Sequence, residues 1–119
     1  MNEEMAEFLA ALLHSGTVTH FMHWTTSSRS DHLALGEYYE NIIELTDKLA
    51  ESYMGRYEKL KNFPTEFHSA TEPLKYMEGM KSFVEEARKN LPQDTELQNR
   101  IDEIAELINT TVYQLKDLE

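Results

Sequence analysis

The chain has 119 residues, 22 acidic against 11 basic side chains, no cysteine and a formal net charge of −11. That composition excludes disulfides, thiolate metal sites and cysteine nucleophiles. It also disfavours direct nucleic-acid binding, because phosphate neutralisation dominates that affinity. An acidic surface is either simply well solvated or attracts cations and basic partners, and charge alone leaves both readings open. The length suits one domain over residues 1–119, burying roughly two-thirds of its unfolded surface. No apolar run approaches the roughly 18 residues of a membrane span. Met1-Asn2-Glu3-Glu4 lacks the basic flank and apolar stretch of a signal peptide. A cytoplasmic protein without a membrane role is therefore expected.

Four glycines and three prolines force few breaks, so long helices are expected. The first runs from about Asn2 to Thr25, with Met5, Phe8, Leu9, Leu12, Leu13, Thr19 and His23 at helical spacing and Gly16 admitting a close neighbour. Its second half, Ser15 to Thr19, has poor intrinsic propensity and needs partners to hold it. Ser27 to Asp31 reads as a loop, with Ser28 or Ser30 capping the next helix. That helix is expected from about Asp31 to Leu60, on a stripe of Leu35, Tyr38, Ile42, Leu45, Leu49, Ser52 and Arg56. Its polar end means that the bundle stops there or that a polar contact is buried, and Gly55 marks a stop or kink.

Asn62 to Thr71, with Pro64, reads as a connection long enough to return along a bundle, with Phe63 and Phe67 to bury. The third helix starts near Pro73 and carries Leu74, Met77, Met80, Lys81, Val84 and Ala87 up to Leu91-Pro92. Asp94 or Thr95 caps the fourth, where Leu97, Ile101, Ile104, Ile108, Thr111, Leu115 and Leu118 alternate in fours and threes. Four such stripes predict an all-α four-helix bundle. The longer connection between helices 2 and 3 predicts a ferritin-like up-down-down-up order.

Four of the five histidines fall between positions 14 and 32. His20 and His23 share a helix face, and His32 opens the next helix, so antiparallel packing brings it near His23. Imidazole is a common ligand for transition metals. Asp31 is a nearby candidate carboxylate, while Asp47 and Glu51 lie one turn apart on the second helix, about 22–30 Å from His32 along its axis. Those two can join the histidines only across a two-fold dimer. Against this stands a plainer reading, in which the histidines cap or pack the bundle end under Trp24 and the carboxylates are a solvated face. The tyrosines at 38, 39, 53 and 57 suggest a subunit interface. No glycine-rich phosphate loop, nucleophile elbow or His-Glu-x-x-His is present.

The stretch His23-Trp24-Thr25, then His32, then Asp47-Lys48-Leu49-Ala50-Glu51 resembles the signature of the Dps-type miniferritins. That resemblance implies a ferroxidase site between subunits, with His23 and His32 from one copy and Asp47 and Glu51 from the other, and His20 beside them. Iron, or zinc, would be the metal and a homodimer or larger homo-oligomer the assembly. Gly36 stands where that family has an aspartate ligand, so a retained site would bind metal without turnover. Over more of its length the chain resembles a family of small tailed-phage proteins of unknown function, through His20–Ser28, His32–Tyr39 and Ile101–Ile104. This implies phage origin, a host-cytoplasm setting and no particular activity. Two functions are therefore expected to compete. One is a non-catalytic interaction protein binding a host or phage protein, and the other a ferritin-like, metal-binding oligomer.

Overall fold

A computed structural model describes residues 2–118 and contains four α-helices, with no strand among those residues. They are α1 (Asn2–Thr25), α2 (Arg29–Arg56), α3 (Pro73–Ala87) and α4 (Thr95–Asp117), and a single 3₁₀ turn over Arg88–Asn90 follows α3. The all-α four-helix bundle read from the stripes is what forms. Three residues separate α1 from α2. The hydroxyl of Ser28 accepts the backbone N–H of Asp31 at 3.2 Å, the N-cap bond expected of it. Proline sits in the first turn of α3, where its missing N–H costs nothing.

The core is built from the predicted stripes. Met5, Phe8, Leu9 and Leu12 of α1 meet Tyr38, Ile42, Leu49 and Tyr53 of α2, Met77, Met80 and Val84 of α3, and Leu97, Ile101, Ile104 and Ile108 of α4. A smaller cluster of Val18, Met22 and Leu35 continues it toward the α1–α2 turn, with Ala70, Tyr76 and Leu115 against it. Gly16 lets α1 and α2 approach closely, since a Cβ there would lie 3.2 Å from Cγ2 of Ile42. The weak helix formers of α1 are held by bonds within the helix and by one to α2. Ser15 donates to the Leu12 carbonyl at 2.6 Å, which uses its one proton, so the Tyr38 hydroxyl is the donor in the 2.7 Å bond between the two side chains.

Several expectations are corrected. The second helix begins at Arg29 and ends at Arg56, not Leu60, and Leu60 is instead a buried anchor of the connection. Asn62 takes a left-handed conformation (φ 60°) just beyond that anchor, which asparagine tolerates. The third helix ends at Ala87, short of Leu91. Tyr38 and Tyr53 are completely buried within the chain, so they belong to the core and not to a subunit interface. Leu13, Lys81 and Leu118 lie on the exposed side of their stripes, and Phe63 and Phe67 of the connection are also exposed. Phe67 sets its ring edge-on to His14 at 5.5 Å.

The polar end of α2 is a bundle end. Arg56 pairs with Asp94 at 2.6 Å and with Glu96 at 3.5 Å, and the Tyr57 hydroxyl donates to Asp94. Asp94 is the N-cap residue of α4, yet its carboxylate turns to these partners and makes no side-chain cap bond. The Tyr57 hydrogen bond, helped by Arg56, holds that carboxyl below its usual range. At the opposite end the Ser30 hydroxyl donates to the Leu118 carbonyl at 3.3 Å.

Candidate functional site at the α1–α2 hairpin

The last carbonyls of a helix have no partner inside it, and at the end of α1 a histidine supplies one. Nδ1 of His32 lies 2.8 Å from the His23 carbonyl, and Nδ1 of His23 lies 2.6 Å from the His32 carbonyl. A carbonyl only accepts, so each Nδ1 carries a proton and donates. The two rings stack with centroids 3.8 Å apart and planes 16° apart. This reciprocal pair joins the end of α1 to the start of α2. It leaves Nε2 of both rings as the nitrogen not used by the fold. The capping reading of these histidines is thus realised, and it does not consume their capacity to bind a ligand.

Gly36 owes its place to this pair. A Cβ there would come within 3.0 Å of Cε1 and 3.2 Å of Nδ1 of His23, closer than a ring pinned by a hydrogen bond easily yields. Gly36 is thus the floor under the His23 imidazole.

His20, one turn before His23, stacks on Tyr39 with centroids 3.8 Å apart and planes 12° apart, and its ring lies 6.2 Å from that of His23. Trp24 adjoins His20 at 4.6 Å and Phe21 at 5.8 Å. Trp24 does not pack over the bundle end. It is 66% exposed, the most exposed of the large apolar side chains among the described residues, with Phe21 at 46% and Leu33 at 56%. An unbroken run of rings therefore crosses the outer surface of the hairpin.

The other proposed ligands lie elsewhere. Asp47 and Glu51 are exposed on α2, about 22 and 28 Å along the helix from His32 at 1.5 Å per residue. Within one chain the structure brings His23 and His32 together, sets His20 beside them and leaves both carboxylates apart. Among the described residues no group of three or more His, Cys, Asp or Glu side chains could hold a metal ion. Sequence reasoning missed the exposed aromatic face, although a signal for it exists. Residues 8–28 contain no Asp, Glu, Lys or Arg, and a helix without charge on any side normally has cover on every side.

Fold and site together define a four-helix bundle whose first hairpin is locked by an imidazole pair and carries an exposed aromatic surface. The chain belongs to DUF5856, a family of unknown function whose model matches residues 23–115. The match begins at His23 and so spans the imidazole pair, Gly36 and the α2 carboxylates. No curated protein and no solved structure matches the chain. No helix among the described residues is long and apolar enough to cross a membrane.

Proposed function

We propose that this protein is a non-catalytic interaction module, encoded by a tailed phage and acting in the host cytoplasm, with its helices in a ferritin-like up-down-down-up order. The observation that carries the reading is the exposed aromatic face on α1, a helix with no Asp, Glu, Lys or Arg from residue 8 to its end at Thr25. Contiguous exposed apolar surface on a soluble chain marks a place where something binds. The phage setting is supported by the likeness of residues 20–28, 32–39 and 101–104 to small tailed-phage proteins. The helix order is supported by Ser30 against Leu118 and Arg56 against Asp94, which set α2 and α4 head to tail. Ala70 beside Val18, Met22 and Leu35 supports a long connection that returns to the hairpin end. The test compares proteins captured from host lysate by the wild type and by the Phe21→Ser/Trp24→Ser variant. A protein retained by the first and lost from the second is expected; equal capture by both, or none by either, counts against the reading.

A second reading keeps a metal site between copies of the chain. It is favoured by the free Nε2 atoms of His23 and His32, and by Asp47 and Glu51 exposed on the same helix as His32. In a two-fold dimer the carboxylates of one copy would face the imidazoles of the other, and iron or zinc suits such nitrogen and oxygen donors. Gly36 leaves the set one carboxylate short of the miniferritin pattern, so binding without turnover is expected. Metal titration followed by calorimetry tests it: stoichiometric iron or zinc binding that His32→Ala abolishes supports the site, and unchanged binding in that variant removes it.

A further inference from the structure

We infer that the outer face of the α1–α2 hairpin binds a basic, arginine-bearing amphipathic helix of a different protein. The inference rests on the interaction reading above and adds the chemistry of the partner. It starts from the shape of the uncovered surface. Leu13, Phe21 and Trp24 lie on the exposed side of α1, while on α2 Tyr39 stacks on His20 and Ile43 reaches Gly16; Leu13 and Ile43 are 43% and 49% exposed. Two antiparallel helices packed side by side present a shallow trough. A third helix fits such a trough with its apolar side down, anchored at i, i+3, i+4 and i+7 spacing.

Charge selects among the helices that could lie there. Tyr39, Ile43 and Asp47 form one row along α2, with Glu40 and Glu44 on the adjoining row; all three carboxylates are exposed. Within residues 2–55 Arg29 and Lys48 are the only Lys or Arg, and Lys48 pairs with Glu44 at 3.6 Å, against the acidic residues 3, 4, 7, 31, 37, 40, 44, 47 and 51. The hairpin thus offers an apolar, ring-lined centre with an acidic border in which carboxylates outnumber bases and Glu44 is paired to Lys48. The complement is an apolar stripe flanked by cations. Arginine fits better than lysine, because its planar guanidinium stacks on aromatic faces and pairs with carboxylates at once. A second copy of this chain carries the same net charge of −11 and is a poor match for an acidic border. An anionic lipid surface is a poor match for the same reason.

The test uses Trp24, the only tryptophan in the chain, as its reporter. The probe is a tryptophan-free synthetic helix of about five turns, leucine on one face and arginine on the other, titrated into the full-length protein. A saturable blue shift of Trp24 emission is expected, weakening as salt is added. The Glu40→Lys/Glu44→Lys variant, altered at exposed positions, should bind about tenfold more weakly or worse, since like charges then face each other across the contact. A version of the peptide with glutamate in place of arginine should produce no shift. The inference is overturned by no shift with the arginine peptide, by equal shifts with both peptides, or by unaltered affinity in the double-lysine variant. A shift caused by concentrating the protein alone, or by anionic vesicles, would overturn it in favour of a second copy or a lipid surface. If the peptide fails while a lysate protein is still lost from the Phe21→Ser/Trp24→Ser variant, only the partner chemistry falls; if both fail, the interaction reading falls too.

Discussion

Ile42→Ala is expected to cost about 2–5 kcal/mol of folding stability, and Ile43→Ala, one residue along, less than about 0.5 kcal/mol. The residues share a helix, a chemistry and a local propensity, so the difference isolates where each side chain points. Ile42 is completely buried, and its Cγ2 lies against the backbone of Gly16. Truncating it removes apolar burial and opens a cavity at the closest approach of α1 and α2. Ile43 is 49% exposed, and nothing among the described residues covers its outer side. A domain of this size is stable by only about 5–15 kcal/mol, so the first change is a large fraction of the total. Urea unfolding of both variants at equal slope measures the difference. Similar losses in the two would mean that the outer face of the hairpin is covered in the isolated chain.

Alkali is expected to unfold the wild type well before it unfolds Tyr38→Phe relative to their stabilities at neutral pH. Tyr38 is completely buried and burial pushes its phenol far up, while burial pushes Tyr76 up to about 12, both from an ordinary value of 10.0. A pKa raised on folding contributes stability that is whole below the unfolded value and lost as pH rises toward the folded one. Stability should therefore hold up to about pH 10 and fall above it, by up to about 1.4 kcal/mol per pH unit for each of the two phenols. Tyr38→Phe forfeits the 2.7 Å bond to Ser15, at a cost of about 0.5–1.5 kcal/mol near neutrality. Ser15 still donates to the Leu12 carbonyl, so no buried donor is stranded. Having one phenol fewer to ionise, the variant should lose less between pH 10 and 12. Parallel pH curves for the two proteins would show that Tyr38 does not carry the effect.

The helices were legible because their apolar residues recur with period 3.6 and because serine, proline and aspartate punctuate their starts. Ser28, Pro73 and Asp94 each mark a start in the structure. Helix ends were less legible. Apolar residues continue past Arg56 to Leu60, so periodicity ran on, but the helix ends at Arg56, which pairs with the start of α4, and Leu60 reaches the core from irregular chain. The pairing of His23 with His32 was legible from spacing across a short loop. The role of Gly36 was not, because only the position of the His23 ring shows what a side chain there would strike. Tyrosine is ambiguous between core and interface by its chemistry. Tyr38 resolves to the core through a hydroxyl bond to Ser15, a residue 23 positions away that no local pattern links to it.

The absence of charge between residues 8 and 28 was visible in the sequence but acquires meaning only beside burial. It separates inward Leu12, Val18 and Met22 from outward Leu13, Phe21 and Trp24. The most direct measurement on this surface is the emission of Trp24 in the isolated protein, with and without acrylamide. An uncovered docking face predicts the red-shifted emission of an indole in water, free quenching, and no change on dilution over roughly a hundredfold range, since no equilibrium of copies is being shifted. Blue-shifted, quencher-resistant emission in the isolated chain would contradict the account, because the face would then already be covered.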